Sequence, residues 1–189
     1  MAGTKKESRS RSQLPLALEL LEADHRKVEA LFEQYEDAKD NDDEGRRGIA
    51  LQICAELKVH MQVEEELLYP WLREALDDDD EEMVEEAEVE HASAKDLVSQ
   101  LEADEAIDAT YDAKVKVLSE YIKHHVKEEE TEVFPSVSDQ KEALDELGQE
   151  IAARKGELMD ELGIGEGVPP DAMKATTAKA GGKAATGTR

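Results

Sequence analysis

At 189 residues the chain is long enough for one domain with a real core plus tails. Its 39% hydrophobic and 38% charged residues, few aromatics and five prolines point to an all-helical protein rich in Ala, Glu, Leu and Lys. A formal net charge of −25 argues against nucleic acid and against an anionic membrane surface as partners; it serves solubility and would concentrate cations. The single cysteine, Cys54, excludes an intramolecular disulfide, fits a reducing compartment, and reads as a small core residue within Ile49-Ala-Leu-Gln-Ile-Cys. The basic start is followed by an apolar run cut by Glu19 and Glu22, with no cleavage site after it. No stretch approaches the roughly 20 apolar residues of a membrane span. The expected location is the cytoplasm.

Residues 1–12 read as a disordered polar arm. From Leu14 the apolar positions Leu14, Leu18, Leu21, His25, Val28, Phe32 and Tyr35 step by fours and threes, the seam of a bundle helix. Asp37 to Gly48 is a turn signal. A second helix from near Ile49 to Leu76 carries the seam Ile53, Leu57, His60, Glu64, Leu67, Trp71, with Pro70 expected to kink its final turns. After the acidic break Asp77–Asp80 comes a third seam, Val84, Ala87, His91, Ala94, Val98, Leu101. The fourth is Tyr111, Val115, Leu118, Ile122, His125, Glu129, Val133, closed by Pro135. A fifth amphipathic helix over 138–163 uses Leu144, Leu147, Ile151 and Leu158 and ends at Gly163. Residues 164–189, rich in Ala, Gly, Thr and Lys, read as a disordered tail. The expected architecture is an up-down-up-down four-helix bundle over 13–137, with helices two and four diagonal and parallel, plus the extra C-terminal helix.

Each of the four seams holds one histidine, His25, His60, His91 or His125, where Leu, Ile or Val would be ordinary. A lone seam histidine is usually a satisfied core residue. Four, one per helix, would each need a buried partner to avoid a penalty of about 1–3 kcal/mol. Glu64 and Glu129 each lie four residues after a seam histidine, on the same face. A glutamate in a bundle core is costly unless paired or metal-bound. Four imidazoles and two carboxylates form an N/O shell suited to iron, manganese or zinc. Six protein donors exceed the four of a closed zinc site and are better spent on two metals, one octahedral ion being the other arrangement.

The two ligand-bearing stretches are copies: His60, Glu64, Glu65, Tyr69 and Pro70 recur as His125, Glu129, Glu130, Phe134 and Pro135. Glu65, Glu66, Glu128 and Glu130 turn away from the seam by about 100° or more and read as a solvated face. Glu65 and Glu130 would reach metals only after a small rotation. His124 offers a rival pair with Glu128, but the seam favours His125. Ala87 and Ala94 flank His91 with small side chains, and Tyr69 and Phe134 close the apolar end.

With DHRKVEALF around His25, HMQVEEELLYP, EHASAKDLVSQL around His91 and HHVKEEETEVFP, residues 14 to 137 resemble the hemerythrin-like HHE cation-binding domain. The resemblance implies a four-helix bundle around a non-heme centre of two irons with an oxo or hydroxo bridge. It implies His25, His60, His91 and His125 as nitrogen ligands, and Glu64 and Glu129 as carboxylate ligands. The oxygen-carrying hemerythrins have a second third-helix histidine where Lys95 stands here. Their fourth-helix carboxylate lies where Glu130 stands. The single third-helix histidine resembles the bacterial HHE branch, and shifts the expectation from stable dioxygen carriage toward iron binding, redox sensing, or peroxide and nitric oxide chemistry.

The leading expectation is a non-catalytic di-iron protein that binds or senses O2, NO or peroxide, or iron. Catalase-like, ferroxidase or nitric-oxide-reducing turnover at the same centre is the enzyme alternative. A metal-free acidic structural bundle is the third.

Overall fold

The computed structural model describes residues 14–38, 43–76 and 81–163. The expected N-terminal arm, the acidic break at 77–80 and the C-terminal tail lie outside the described residues. Helix α1 (Leu16–Asp37) is followed by α2 (Asp43–Val63), which passes through a π-helical turn, π1 (Glu64–Leu68), into α3 (Tyr69–Ala75). After α4 (Glu81–Ala103) the same device recurs: α5 (Ala109–Glu128), π2 (Glu129–Val133) and α6 (Phe134–Val137). Helix α7 (Lys141–Leu162) completes the described chain. Asp108 caps α5, accepting from the Thr110 and Tyr111 amides at 2.8 and 2.9 Å, so two of the orphan donors of the first turn are satisfied.

The two π turns have a local cause. A proline within an α-helix removes one donor and drives its ring into the carbonyl four residues back. Here the helix widens just before each proline. The Tyr69 amide bonds to the Glu64 carbonyl and the Phe134 amide to the Glu129 carbonyl, five residues back in each case. Such bulges concentrate at functional sites, and these two begin at Glu64 and Glu129. They also shift the seam. After Glu64 the buried residues are Leu68, Tyr69 and Leu72, while Leu67 and Trp71, expected in the core, are half-buried. Pro135 does not close its helix, because the widened turn absorbs the ring and the chain stays helical to Val137. Leu14 precedes α1 and is exposed. The expected seams of α4 and α5 are buried as read.

Helix α1 packs on α2 and α5, and α4 packs on the same two from the other side, which makes a four-helix bundle with α2 and α5 diagonal. The core is divided. One apolar cluster contains Val28, Tyr35, Ile53, Cys54, Leu57, Leu101, Leu118 and Ile122. The other contains Leu18, Leu21, Leu68, Leu72, Val133 and Phe134, to which α7 adds Leu144, Leu147, Ile151 and Leu158. The buried histidines and glutamates belong to neither cluster. Cys54 lies fully inside the first, and burial pushes its thiol up to about 12, which makes it inert as a nucleophile.

Helix α7 lies against α1 and α2. Gly148 permits the approach: a Cβ there would meet the Ala17 amide nitrogen at 2.6 Å and the Leu16 carbonyl carbon at 2.8 Å. Both are backbone atoms and cannot yield by a rotamer change. Gly148→Ala is therefore expected to destabilise the protein by about 1–3 kcal/mol, the cost of overpacking, although alanine is the better helix former. Denaturant unfolding checks this, and a more stable variant would show that α7 can move away freely. At its end, Gly163 adopts the left-handed conformation (φ 67°) and donates its amide to the Met159 and Asp160 carbonyls.

Candidate metal centre

The six seam donors expected to bind metal converge, all at most 5% exposed: His25, His60, Glu64, His91, His125 and Glu129. Each helix of the bundle contributes one imidazole, and each π turn opens with one carboxylate. Glu64 Oε2 lies 3.2 Å from His60 Nε2 and 3.3 Å from His91 Nε2. Glu129 Oε2 lies 3.2 Å from His25 Nε2 and 3.6 Å from His125 Nε2. Each carboxylate thus stands between two imidazoles from different helices. His25 and His60 meet edge to face with ring centroids 4.9 Å apart, and His91 and His125 lie 4.7 Å apart. Two donor groups result, His25–His60–Glu64–Glu129 and Glu64–His91–His125, and they share Glu64.

The polar atoms at the middle of this layer are poorly served by the protein. His25 Nε2, His60 Nε2 and both oxygens of Glu64 and of Glu129 are buried without a hydrogen-bond partner. The close imidazole–carboxylate approaches provide Coulomb attraction outside hydrogen-bond geometry. Each such orphan costs about 1–3 kcal/mol, and native interiors hold few of them. His91 Nε2 and His125 Nε2 face each other at 3.1 Å, with the Tyr69 hydroxyl also 3.1 Å from His91 Nε2.

Proton affinities reflect the crowding. Burial, then the neighbouring Glu129, pushes the Glu64 carboxyl well above the usual carboxylate range. Burial also opposes ionisation of Glu129, but the facing His125 and His25 overturn it and hold that carboxyl at about 2. Burial pulls His60 down to about 4. For His25 and His125 burial is outweighed by the facing carboxylates, and both are raised. Two buried carboxylates side by side cannot both ionise cheaply without added positive charge.

The outer face of every imidazole is fixed. Nδ1 of His60 faces Asp24 at 3.5 Å, that of His91 donates to Glu65 at 3.0 Å, that of His125 to Glu90 at 2.8 Å and that of His25 to Glu130 at 2.9 Å. Asp24 lies on α1 and serves α2; Glu65 lies on π1 and serves α4. Glu90 lies on α4 and serves α5; Glu130 lies on π2 and serves α1. The carboxylates form a closed ring in which each bundle helix orients the histidine of the next. A proton held at Nδ1 leaves the Nε2 lone pair directed inward, the arrangement that metal-ligating histidines use.

Sequence reasoning placed Glu65 and Glu130 on a solvated face, and the structure corrects that. In the π turns they reach back to the histidines of neighbouring helices, because successive side chains turn through less than the α-helical angle there. Asp24 and Glu90 were missed. The signal was present: each directly precedes a seam histidine, as Asp-His and Glu-His on α1 and α4, while α2 and α5 use His-x-x-x-Glu-Glu. His124, the rival to His125, is 56% exposed and points outward. Tyr69 and Phe134, expected to close the apolar end, differ in role: Phe134 stacks on His25 at 6.0 Å, whereas Tyr69 brings a hydroxyl into the centre. Ala87 lines an opening toward His125, while Ala94 packs in the apolar cluster away from α7.

A family profile described as the hemerythrin HHE cation binding domain matches residues 16–137. The chain belongs to this hemerythrin family. A curated protein named DNA nickase, from Nostoc sp. (strain PCC 7120 / SAG 25.82 / UTEX 2576), is 26% identical over 147 residues, which is 77% of this chain but 40% of the relative's own length. No solved structure matches the chain.

In this hemerythrin-family chain the third ring of contacts is formed mainly by fixed cations. Lys155 pairs with Asp24, Arg26 with Glu130 and Lys95 with Glu65. Lys95, one turn past His91, therefore supports the carboxylate that orients His91 and does not enter the centre. Lys155 lies on α7, beyond the residues that the family profile matches, so the extra helix reaches the His60 side of the candidate centre.

Proposed function

We propose that the chain is a non-heme di-iron protein that binds or senses a small ligand such as O2, NO or peroxide, with His25, His60, His91, His125, Glu64 and Glu129 as the metal ligands. One observation carries the reading: the buried, partnerless Nε2 and carboxylate oxygens at the middle of the bundle. A protein gains nothing from burying Glu64 and Glu129 among imidazoles unless positive charge joins them. The N/O donor set fits iron, and the division into two donor groups sharing Glu64 fits two ions.

Bound iron would supply the redox and ligand-binding chemistry. The chain's own residues do the rest. Asp24, Glu65, Glu90 and Glu130 orient the rings, and the two apolar clusters flank the layer. A niche of about 10 Å³ between His25, His60 and His125, walled by Val28, Leu57 and Ile122, has room for about one water-sized group.

The experiment is to purify the protein from iron-supplemented cells and measure metal per chain together with the visible spectrum. About two irons per chain and near-ultraviolet to visible absorption are expected. A colourless, metal-free protein of equal stability would sink the proposal.

Turnover at the same centre is the second reading, and Tyr69 favours it. Burial raises the pKa of its hydroxyl well above the usual phenol value and keeps it protonated beside His91 Nε2. A neutral hydroxyl at that place would supply a hydrogen bond to bound peroxide or nitric oxide. Steady-state assays with peroxide, Fe(II) and NO decide between the readings, since a single stoichiometric reaction leaves binding. The activity in the Nostoc relative's name is not extended to this chain, whose net charge of −25 opposes a phosphate backbone.

A further inference from the structure

Three of the four carboxylates that orient the histidines are paired with a cation: Asp24 with Lys155, Glu130 with Arg26 and Glu65 with Lys95. The fourth is different. Glu90 directs Oε2 to His125 Nδ1 at 2.8 Å, and its Oε1 faces His124 Nε2 at 3.6 Å. Among the described residues, no lysine or arginine pairs with it. His124 Nε2 lies 3.2 Å from Glu128 as well. Glu90, His124 and Glu128 can therefore direct donor atoms at one point on the surface.

A cavity of about 50 Å³ opens between α4 and α5 at the same place. Its rim carries Glu86, Glu90, Glu128 and Glu132, and it reaches His125 and Glu129. Glu129 is 1% exposed, and neither of its oxygens has a hydrogen-bond partner. This volume holds a few waters, or an ion that keeps part of its hydration. The opening thus shares Glu90 and Glu128 with the three-donor cluster and reaches a partnerless buried carboxylate. At the other three positions of the ring the outward oxygens are engaged by Lys155, Arg26 and Lys95.

We propose that this opening is the loading route of the centre for hydrated divalent cations, with Glu90, His124 and Glu128 as the docking site. This rests on the reading of the inner residues as a metal centre. An approaching cation is drawn by the rim carboxylates, exchanges water for His124 and Glu128, and passes to Glu129 and His125. Glu90 belongs to both ends, one oxygen at the mouth and the other on the ligand ring. No bond is made or broken in this process beyond exchange of water and carboxylate or imidazole donors at the cation.

A route changes rates and leaves the end state alone. The test uses the full chain, stripped of metal by chelator, mixed with Co(II) without oxygen and followed by visible absorption. Electrostatic focusing at charged clefts raises association rates by about 10–10³-fold. The double variant His124→Ala/Glu128→Gln is expected to load at least about tenfold more slowly. Its release to excess chelator should slow by a similar factor, and its cobalt content at saturation should equal the parent's. The parent's loading rate should fall steeply with ionic strength. Glu146→Gln/Glu150→Gln removes two charges from exposed positions on α7 and should load at the parent rate. If His124→Ala/Glu128→Gln loads within about twofold of the parent, or if the α7 control slows it equally, the route is wrong while the centre stands. If the parent takes up no cobalt, iron or manganese, the metal centre fails and the route falls with it.

Discussion

Glu64→Leu is expected to have opposite effects on the metal-free and metal-loaded protein. Glu64 is fully buried, its oxygens lack hydrogen-bond partners, and it belongs to both donor groups. In the metal-free chain it is a liability. Burial has driven its carboxyl toward the neutral form, and Glu129 beside it adds repulsion. Replacing it with a side chain of similar size removes that desolvation cost, and the metal-free protein should gain about 1–3 kcal/mol. In the loaded protein the same change removes the shared ligand. Metal retained after dialysis should fall to a small fraction of the parent's, and the stabilisation that metal confers should disappear with it. Denaturant unfolding with and without metal, alongside metal analysis, checks both halves. A variant that is less stable without metal and still holds the parental amount would show that Glu64 is structural.

Stability should also depend on pH with opposite sign in the two forms. In the metal-free protein His25 and His125 bind protons more tightly folded than unfolded, as does Glu64. The folded state then holds more protons than the unfolded state above about pH 6.5, so stability falls as the pH rises through that range. His60 runs the other way: its value of about 4 makes the folded state poorer in protons, and its contribution is lost as the pH falls from 6.5 toward 4. Glu129, held at about 2, acts with His60, its contribution being lost as the pH falls through the carboxylate range. Metal reverses the alkaline side. Ligands must be deprotonated to bind, so protons compete with metal and the loaded protein should gain stability as the pH rises from about 6 to 7 and beyond. Thermal unfolding of both forms at several pH values checks this. Parallel curves, with no change of sign above pH 6.5, would argue against histidine ligation. Metal uptake in weak buffer should release protons for the same reason.

The bundle was legible because its signals are local and periodic. Positions such as Val84, His91, Val98 and Leu101 repeat at helical spacing, and burial follows the repeat. The inner donors were legible for a related reason: a histidine or glutamate at a position that should be apolar is an anomaly visible without coordinates. The π turns were not foreseen in form. Pro70 and Pro135 announce a disturbance, but whether a helix kinks, stops or widens depends on what it packs against. That choice decided that Leu68 and Tyr69, not Leu67 and Trp71, face inward. It also brought Glu65 and Glu130 back to the histidines.

His60–Glu64 and His125–Glu129 stand out as the paired feature of the sequence, and the chain by itself determined that such groups share a helical face, since the α-helical repeat fixes that within one segment. It determined equally the all-helical class and the presence of one histidine per bundle helix. Tertiary structure alone decided the partners across helices. The ring of Asp24, Glu65, Glu90 and Glu130, the support of Asp24 by Lys155 from α7, and the unguarded position of Glu90 are all contacts between segments far apart in the chain. Periodicity states which side of a helix faces inward. It carries no information about which neighbour stands opposite, and that is set by the packing angles and rotations of whole helices.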